Sequence, residues 1–423
     1  MRKVFCAVIA AGVMTATASF ARNVDDLRLP DGFTATVFYP GTAPARHLAV
    51  RSNGDVYLMT KQLGFGRPDP NKNAGIIAMR DTNGDGRADE IRHFSKIEGT
   101  GIEFHKGMLY VSDSTHVYRF KFDSDDQLVP NGDPETVISG FDLQRMHEDK
   151  PFAFDKKGHI YVNVGAPSNA CQEHDRTKGS PGMNPCPLLK MHGGIWRFDA
   201  DKLGQTQAKD GMRYATGLRN SVALEWNPTA AHLYLVMHGR DQINLWSKLY
   251  NAKDNATRIA EEFHVVKEGG NYGWPYTFYD RKLHERVISP EYGGDGKKTP
   301  PKGKYPDPLI AFPAHWAPDD LIFYEGSQFP AKYKNGAFIA FHGSWNRAPE
   351  PQDGYKVVFV PMKDGKPSGK WTAFADNFRG NLSSNNPTSS RYRPVGLAVG
   401  PDGSLFVSDS EKGRVWKISY TGK

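Results

Sequence analysis

One short pattern recurs six times along this chain and constrains the fold more than any other feature. Each copy has an apolar strand, a short polar turn and a small residue that leads into a second strand, as in HLAVRSNGDVYL and VGLAVGPDGSLFV. The six copies begin at His47, Gly101, Pro151, Val222, Leu321 and Val395. A single hairpin cannot bury both of its faces, whereas six hairpins packed around one axis can. The repeat therefore predicts an all-β protein, a six-bladed β-propeller.

The two ends of the chain carry strands that fit the closure of such a ring. The stretch 32–39, GFTATVFY, is strand-like but has no copy of its own, and GRVWKISY lies near the C-terminus. Pairing of the N-terminal strand into the last blade would lock the first blade to the last. No break in composition divides residues 22–423, so we expect a single propeller domain. The only expected helix lies around 254–265, in a long insertion between the fourth and fifth copies.

The first 21 residues have the pattern of a secretory signal peptide. Arg2 and Lys3 precede an apolar run too short to span a bilayer, and small residues follow up to Ala21. We expect cleavage there and a periplasmic or secreted protein with no membrane span. The mature chain keeps Cys171 and Cys186, which predicts one disulfide in an oxidising compartment. The net charge of +7 is mild, and export argues against a nucleic-acid partner.

Cationic and polar residues occupy equivalent positions in successive copies. In a propeller, such positions face the same end of the central channel. Just before the first strand of each copy stand Arg46, His47, Glu98, Thr100, His147, Glu148, Lys150, Arg219, Asn220, His315, Trp316, Arg391 and Arg393. Just after the second strand stand Lys61, Asp113, Ser168, His238, His342 and Asp409. Each cation alone could simply pair with a nearby acid, but arginines gathered around one axis favour a polyanionic ligand.

Several longer motifs resemble one known family. The runs GLRNSVALEWNP, DQINLW, GGNYGWP, HGSWNR and RYRPVGLAVGPDGSLFVSD are similar to those of the soluble quinoprotein sugar dehydrogenases, particularly the L-sorbosone dehydrogenase-like branch. The resemblance implies a six-bladed propeller that binds pyrroloquinoline quinone (PQQ) and Ca²⁺. It further implies oxidation of an aldose, a sorbosone-like compound or a related sugar. No CxxCH haem motif occurs, so electrons would pass to an external acceptor such as a cytochrome, a quinone or a dye.

The resemblance also assigns roles to individual residues. His147 matches the catalytic base, and a histidine titrates in the range that proton abstraction requires. Arg219 is the expected partner of the quinone oxygens and, with His147, completes the catalytic pair. The expected cofactor- or substrate-facing residues are Asn220, Arg391, Arg393, His315, Trp316, Asn346 and Arg347. Backbone carbonyls of the loop at Gly239 and Arg240 match the active-site calcium ligands.

A second calcium site is suggested by DTNGDGRAD, which resembles the start of an EF-hand loop. Its candidate ligands are Asp81, Asn83, Asp85 and Asp89. The closing glutamate of such a loop is missing because Arg92 stands at its place. A glycine-rich hairpin turn is therefore the alternative.

Two other functions stay open from the sequence. A metal-dependent lactonase would need carboxylates that converge on a divalent ion, and a non-catalytic binding propeller would need only the ring of cations. The chain also departs from glucose-oxidising relatives at Ala166, where they carry an acidic residue, and at 98–100, where they carry a glutamine. Both changes touch the sugar end of the expected pocket, so glucose is not the expected substrate.

Overall fold

Six antiparallel sheets follow one another along the chain in the computed structural model, which describes residues 24–61, 74–380 and 390–422. Blade 1 contains Ala45–Val50, Val56–Thr60, Ile76–Arg80 and Glu90–Ser95. Blade 2 contains Ile102–His105, Met108–Ser112, Val117–Phe120 and Glu135–Ser139. Blade 3 contains Phe152–Phe154, His159–Val164, Gly194–Asp199 and Met212–Thr216. The predicted signal peptide, 1–21, lies outside the described residues.

The second half of the ring repeats this arrangement. Blade 4 contains Ala223–Asn227, His232–Met237, Glu261–Val266 and Ile310–Phe312. Blade 5 contains Pro318–Phe323, Ala337–Phe341, Lys356–Val360 and Thr372–Ala375. Blade 6 contains Pro394–Val399, Leu405–Asp409, Val415–Tyr420 and the N-terminal strand Phe33–Tyr39. Phe33 pairs with Tyr420 and Val37 with Trp416, so the six-bladed fold and its predicted closure are both confirmed.

Short elements complete the described chain. Two-residue strands Gln205–Thr206 and Gly270–Asn271 extend blades 2 and 3 in parallel, and two small hairpins join Thr277–Asp280 with Glu285–Ile288 and Met362–Lys363 with Lys366–Pro367. The α-helices are Gln207–Asp210 and Ala252–Thr257, and the 3₁₀ turns are Val24–Asp26, Pro187–Lys190, Ile243–Leu245, Pro290–Tyr292 and Ala331–Tyr333. The helix expected over 254–265 is therefore confirmed only over 254–257. An Asn251–Asp254 capping box starts it, but the third strand of blade 4 takes over at Glu261.

The core lies between neighbouring blades, where apolar side chains from two sheets interlock. Between blades 5 and 6, for example, Phe338, Leu397 and Trp416 are buried in one cluster with the closing strand's Phe33. The innermost strands of adjacent blades contact one another all around the axis. Antiparallel pairing of the first two strands places the start of one beside the end of the other, as Ala45 lies opposite Thr60. Both predicted rings therefore meet at one end of the channel.

A disulfide joins Cys171 to Cys186 across a Cα–Cα distance of 6.2 Å, which confirms the predicted bridge. It closes a long loop between the second and third strands of blade 3. Both cysteines are buried beside Trp274. In the described part of the chain, no helix has the length and apolar character needed to cross a membrane.

Candidate active site

A cavity of about 340 Å³ opens at the end of the channel where the two rings meet. Its described lining contains four arginines, four histidines and four carboxylates: Arg46, Arg176, Arg219, Arg393, His147, His238, His315, His342, Asp149, Asp241, Glu261 and Asp319. Asn220, Asn346, Val222, Gly239, Ala317 and Trp345 complete it. The volume falls in the range of small-molecule sites. Carboxylates are as numerous in this lining as arginines, whereas arginine and histidine were expected to dominate it.

Asp241 holds two of the arginines together. Its Oδ2 accepts hydrogen bonds from Arg219 Nη2 and Arg176 Nη2, each at 3.0 Å. Arg219 also donates to the backbone carbonyl and side-chain oxygen of Asn169 at 3.2 and 3.1 Å. Burial opposes the ionisation of Asp241, but the Arg219 guanidinium overrides it and holds the pKa of this carboxyl well below its usual range. These hydrogen bonds fix the orientation of the Arg219 guanidinium at the cavity wall.

His147 presents one free ring nitrogen to the cavity. Its Nδ1 lies 2.6 Å from the carbonyl oxygen of Ala166, and because a carbonyl only accepts, Nδ1 must carry the proton. Burial and the nearby Arg219 guanidinium lower the pKa of His147 well below its usual value. The ring is therefore neutral at neutral pH, with the Nε2 lone pair available. Gly165 allows this approach, since a Cβ there would lie 2.7 Å from the Cβ of His147.

Arg46 is anchored on the opposite part of the ring by a second acidic network. Its Nη2 donates to Asp149 Oδ2 at 3.1 Å, and its Nη1 lies 3.7 Å from Asp319. Lys61 Nζ donates to Asp149 at 2.9 Å. Burial disfavours the charge on Asp149, but Arg46 and Lys61 hold its pKa far below the usual range. Arg46 and Arg219 are thus each paired with a nearby carboxylate. This is what the alternative interpretation, in which each cation pairs with its own acid, predicted.

The remaining histidines differ in protonation. Burial lowers the pKa of His342 well below its usual value, and Arg393 adds to this effect. His238 behaves in the opposite way, because the Asp319 carboxylate 3.4 Å from its Nε2 outweighs burial and raises the pKa. His315 donates from Nε2 to the carbonyl of Asn255 at 2.7 Å. Its second ring nitrogen, Nδ1, lies 3.6 Å from the Asp241 carboxylate, which makes His315 a poorer candidate base than His147.

Arg393 and Asn346 lie on the blade 5 and 6 side of the cavity. Arg393 donates from Nε to the carbonyl of His342 at 3.2 Å and from Nη2 to the carbonyls of Gly343 and Ser344. Its acidic neighbour is Glu411, whose Oε1 lies 3.8 Å from Arg393 Nη1. Asn346 Nδ2 donates to Asp241 Oδ1 at 2.8 Å, whereas its buried Oδ1 has no hydrogen-bond partner in the described part of the chain.

Four of the residues predicted for the active site do not line the cavity, and the reasons are local. Positive φ angles at His315 and Ala317, 61° and 54°, turn the chain so that Trp316 packs in the core against Phe341 and Trp371. Arg391 turns outward to Asp25 and Asp26. Arg347 donates to three backbone carbonyls, of Pro351, Ala256 and Ala314. The Arg240 side chain forms a buried bidentate pair with Glu291.

The EF-hand-like loop forms an exposed hairpin turn between two outer strands of blade 1. Asp81 accepts backbone N–H groups from Gly84, Asp85 and Gly86, and Asp89 accepts from Thr82. Such side-chain-to-backbone bonds are typical of a tight turn. The described residues hold no cluster of three or more His, Cys, Asp or Glu side chains placed to ligate a metal. The loop therefore has the hydrogen bonding of a hairpin turn, and calcium binding there stays a prediction.

The cavity lining fits a flat tricarboxylated quinone. Arg46, Arg176, Arg219 and Arg393 supply guanidinium donors, and the orphaned Oδ1 of Asn346 is a buried acceptor for a polar ligand atom. For a cation, the oxygen donors are the Gly239 and Arg240 carbonyls, which accept no hydrogen bond from the described residues, together with nearby carboxylates. These are the hard ligands that Ca²⁺ prefers.

Sequence reasoning missed Arg176 and Asp241 as site residues. Arg176 lies inside the disulfide-closed loop, which has no counterpart in the other blades, so no repeat position indicated it. Asp241 stands two residues after Gly239 and begins the DQINLW motif. That position could have identified it, but the search for ligand-binding residues favoured arginine and histidine.

Comparisons with known proteins agree with this architecture. An uncharacterized protein of Borreliella burgdorferi is 30% identical over 332 residues, covering 76% of this chain and 75% of that protein. The pyrroloquinoline quinone-dependent pyranose dehydrogenase of Coprinopsis cinerea is 23% identical over 434 residues, covering 93% of this chain and 54% of that protein. This chain thus spans about half the length of that enzyme.

Solved structures share the fold. The holo PQQ domain of the Coprinopsis cinerea pyranose dehydrogenase superposes with a TM-score of 0.70 at 18% identity, over 93% of this chain and 97% of that domain. A calcium structure of a Trichoderma reesei AA12 protein gives 0.71 at 17% identity, again over 93% and 97%. The predicted resemblance to quinoprotein sugar dehydrogenases is confirmed. The TrAA12-like family profile matches residues 27–421, and this protein therefore belongs to the TrAA12-like family.

Proposed function

We propose that this protein is a PQQ-dependent sugar dehydrogenase. The observation that carries the proposal is the orientation of His147, whose Nδ1–H donates to the Ala166 carbonyl and whose neutral Nε2 faces the cavity beside Arg219. This is the arrangement of a general base next to a cation that stabilises a developing oxyanion. The names of the relatives, PQQ-dependent pyranose dehydrogenase among them, support the same class of reaction.

The reaction follows from these residues. A sugar hydroxyl positioned at His147 Nε2 gives its proton to the imidazole as the C–O bond acquires carbonyl character. Bound PQQ supplies the two-electron acceptor for the hydride that leaves the same carbon. Arg219, held by Asp241 and Asn169, would hold the quinone oxygens and stabilise the negative charge that they gain. The electrons then pass to an external cytochrome, quinone or dye, and the proton leaves His147 to solvent.

The cofactor carboxylates are assigned to the arginines of the cavity. Arg393 is the most available of these because its acidic neighbour Glu411 lies 3.8 Å away, whereas Arg176 and Arg219 each bond to Asp241 at 3.0 Å. Calcium is assigned to the loop at Gly239 and Arg240. Export to a periplasmic or extracellular location is part of the proposal, supported by the N-terminal pattern of residues 1–21 and by the disulfide.

Two arginines that stand two positions apart offer a matched test of cofactor binding. Calorimetric titration of the apoprotein with PQQ in the presence of Ca²⁺ should give one site per chain. Arg393→Ala should weaken binding by about 10- to 100-fold, the worth of charge-assisted hydrogen bonds. Arg391→Ala should leave it unchanged, because Arg391 lies outside the cavity. Absence of binding to the native protein would end the proposal.

A dye-reduction screen then tests the reaction itself. The reconstituted protein is offered aldoses, ketoses and osones, with the His147→Ala protein at equal cofactor occupancy as the control. Dye reduction by the native protein and its loss in the variant are the expected results. Full cofactor binding with no reduction by any sugar would instead indicate a binding propeller.

A further inference from the structure

Trp345 stands apart from the rest of the cavity lining. It is the one indole, phenyl or phenol side chain among the described lining residues, and it is 55% exposed. Among the described residues, no aromatic ring and no cation packs against its face. Large aromatic side chains are usually buried, and an exposed one at a pocket mouth points to a ligand.

The backbone on both sides of Trp345 is fixed. Ser344 is fully buried, donates from N to the carbonyl of Asp353 at 2.8 Å and accepts the Tyr355 hydroxyl at its own carbonyl at 2.5 Å. Asn346 on the other side is tied to Asp241 at 2.8 Å. The indole therefore projects from a rigid segment rather than from a loose loop. The backbone that carries the ring therefore loses little conformational entropy when a ligand covers the indole.

The polar side of the cavity determines which ligand suits this ring. Hydroxyl groups have abundant partners among the arginines, histidines and carboxylates, but the only other apolar side chains in the described lining are Val222 and Ala317. A pyranose ring carries its hydroxyls around the edge and exposes a patch of C–H groups on its face. Such a molecule can place its hydroxyls on the polar wall and its apolar face on the indole. An acyclic polyol has no comparable flat face.

We propose that Trp345 is the stacking platform that selects cyclic pyranoses as substrates. The inference rests on the proposed function and deepens it, because it names the substrate class. Trp345 takes no part in proton transfer. It positions the ring so that the hydroxyl to be oxidised reaches His147, and its loss should therefore act on binding more than on the chemical step.

Equilibrium binding of a methyl pyranoside to the protein loaded with Ca²⁺ and reduced cofactor tests the platform without turnover, since a reduced quinone accepts no further hydride. Trp345→Ala should raise the Kd, and the KM of the corresponding free sugar, by about tenfold, with kcat reduced much less. Trp345→Phe should keep affinity within about threefold because it retains a flat ring. The affinity for an acyclic hexitol should not change. Leu143→Ala, which removes an 80% exposed side chain that does not line the cavity, is the control and should behave as the native protein.

The outcomes separate the two proposals. Unchanged pyranoside affinity in Trp345→Ala, equal losses for pyranoside and hexitol, or no pyranoside binding by the native protein would overturn the platform. A native protein that binds PQQ but oxidises no sugar would overturn the proposed function instead. Sugar oxidation that persists with an unaltered KM in Trp345→Ala would remove the platform and leave the dehydrogenase standing.

Discussion

Asp241 is the residue on which the geometry of the active site most depends, and Asp241→Asn removes its charge while keeping its shape. The side chains of Asp241 and Arg219 are 14% and 4% exposed, and Arg176 shares the same carboxylate oxygen. The amide can still accept from the arginines. Its new N–H₂ would face Asn346, whose unpartnered Oδ1 becomes an acceptor if that side chain flips. The substitution therefore isolates the loss of charge.

The expected cost follows from burial. Removal of one partner of a buried ion pair leaves an uncompensated charge and destabilises a protein by about 3–5 kcal/mol, here with two guanidiniums left in place. An exposed pair behaves differently. Arg197 and Glu268 lie 2.9 Å apart with 24% and 54% of their side chains exposed, and Glu268→Gln should cost only about 0–1 kcal/mol because solvent screens the pair.

Urea denaturation at pH 7 of the native protein, Asp241→Asn and Glu268→Gln measures both values under identical conditions. The free energy of unfolding should fall by several times more in Asp241→Asn than in the control. Turnover should fall as well, since Arg219 loses the group that orients it. A loss below about 1 kcal/mol in Asp241→Asn, or equal losses in the two variants, would refute the assignment of Asp241 as the anchor of the arginines.

Three further predictions concern the catalytic base, the disulfide and the pH dependence of the free energy of unfolding. His147→Ala should keep cofactor affinity but lower turnover by about 10²–10⁴-fold in steady-state kinetics, and near-normal turnover at full occupancy would remove it as the base. Replacement of Cys171 and Cys186 by serine should lower the free energy of unfolding by about 3 kcal/mol for a separation of 15 residues, and an unchanged melting temperature would contradict this. Burial lowers the pKa of His47 to about 4, so the unfolded chain binds more protons than the folded one between pH 6.5 and 4, and the free energy of unfolding decreases as the pH is lowered through that window. The lowering from 6.5 to about 4 corresponds to about 3 kcal/mol. His47→Gln, which can still donate to the Asp319 carbonyl that His47 Nε2 contacts at 2.6 Å, should abolish this part of the pH dependence in urea titrations. Equal pH slopes in the two proteins would disprove it.

The sequence repeat predicts the ring of blades, and equivalent positions in successive repeats predict much of the site. His147, Arg219, Asn220, His315 and Arg393 were predicted to converge because they precede the first strands of their blades, and all five line the cavity. That prediction needed only the antiparallel hairpin geometry common to the six copies. Their chemical roles remain predictions.

Other features depended on local turns that no repeat specifies. Trp316 follows His315 directly, yet the positive φ angles around it send one side chain to the cavity and the other to the core. Arg391 pairs through its backbone with Arg379 and so faces the N-terminal segment at Asp25. The helix expected around 254–265 gave way to a strand because blade 4 required its third partner there.

The central claim is that a bound quinone oxidises a sugar in this cavity, with His147 as the base and Arg219 as the group that stabilises the developing negative charge. Its most direct test is the absorbance spectrum of the protein reconstituted with PQQ and Ca²⁺, recorded without oxygen or dye before and after addition of an aldopyranose. The account predicts conversion of the quinone spectrum to that of its reduced form in the native protein, and none in His147→Ala at equal occupancy over the same period. An unchanged spectrum in the fully occupied native protein across the sugars tested, or equally fast reduction in both proteins, would contradict it.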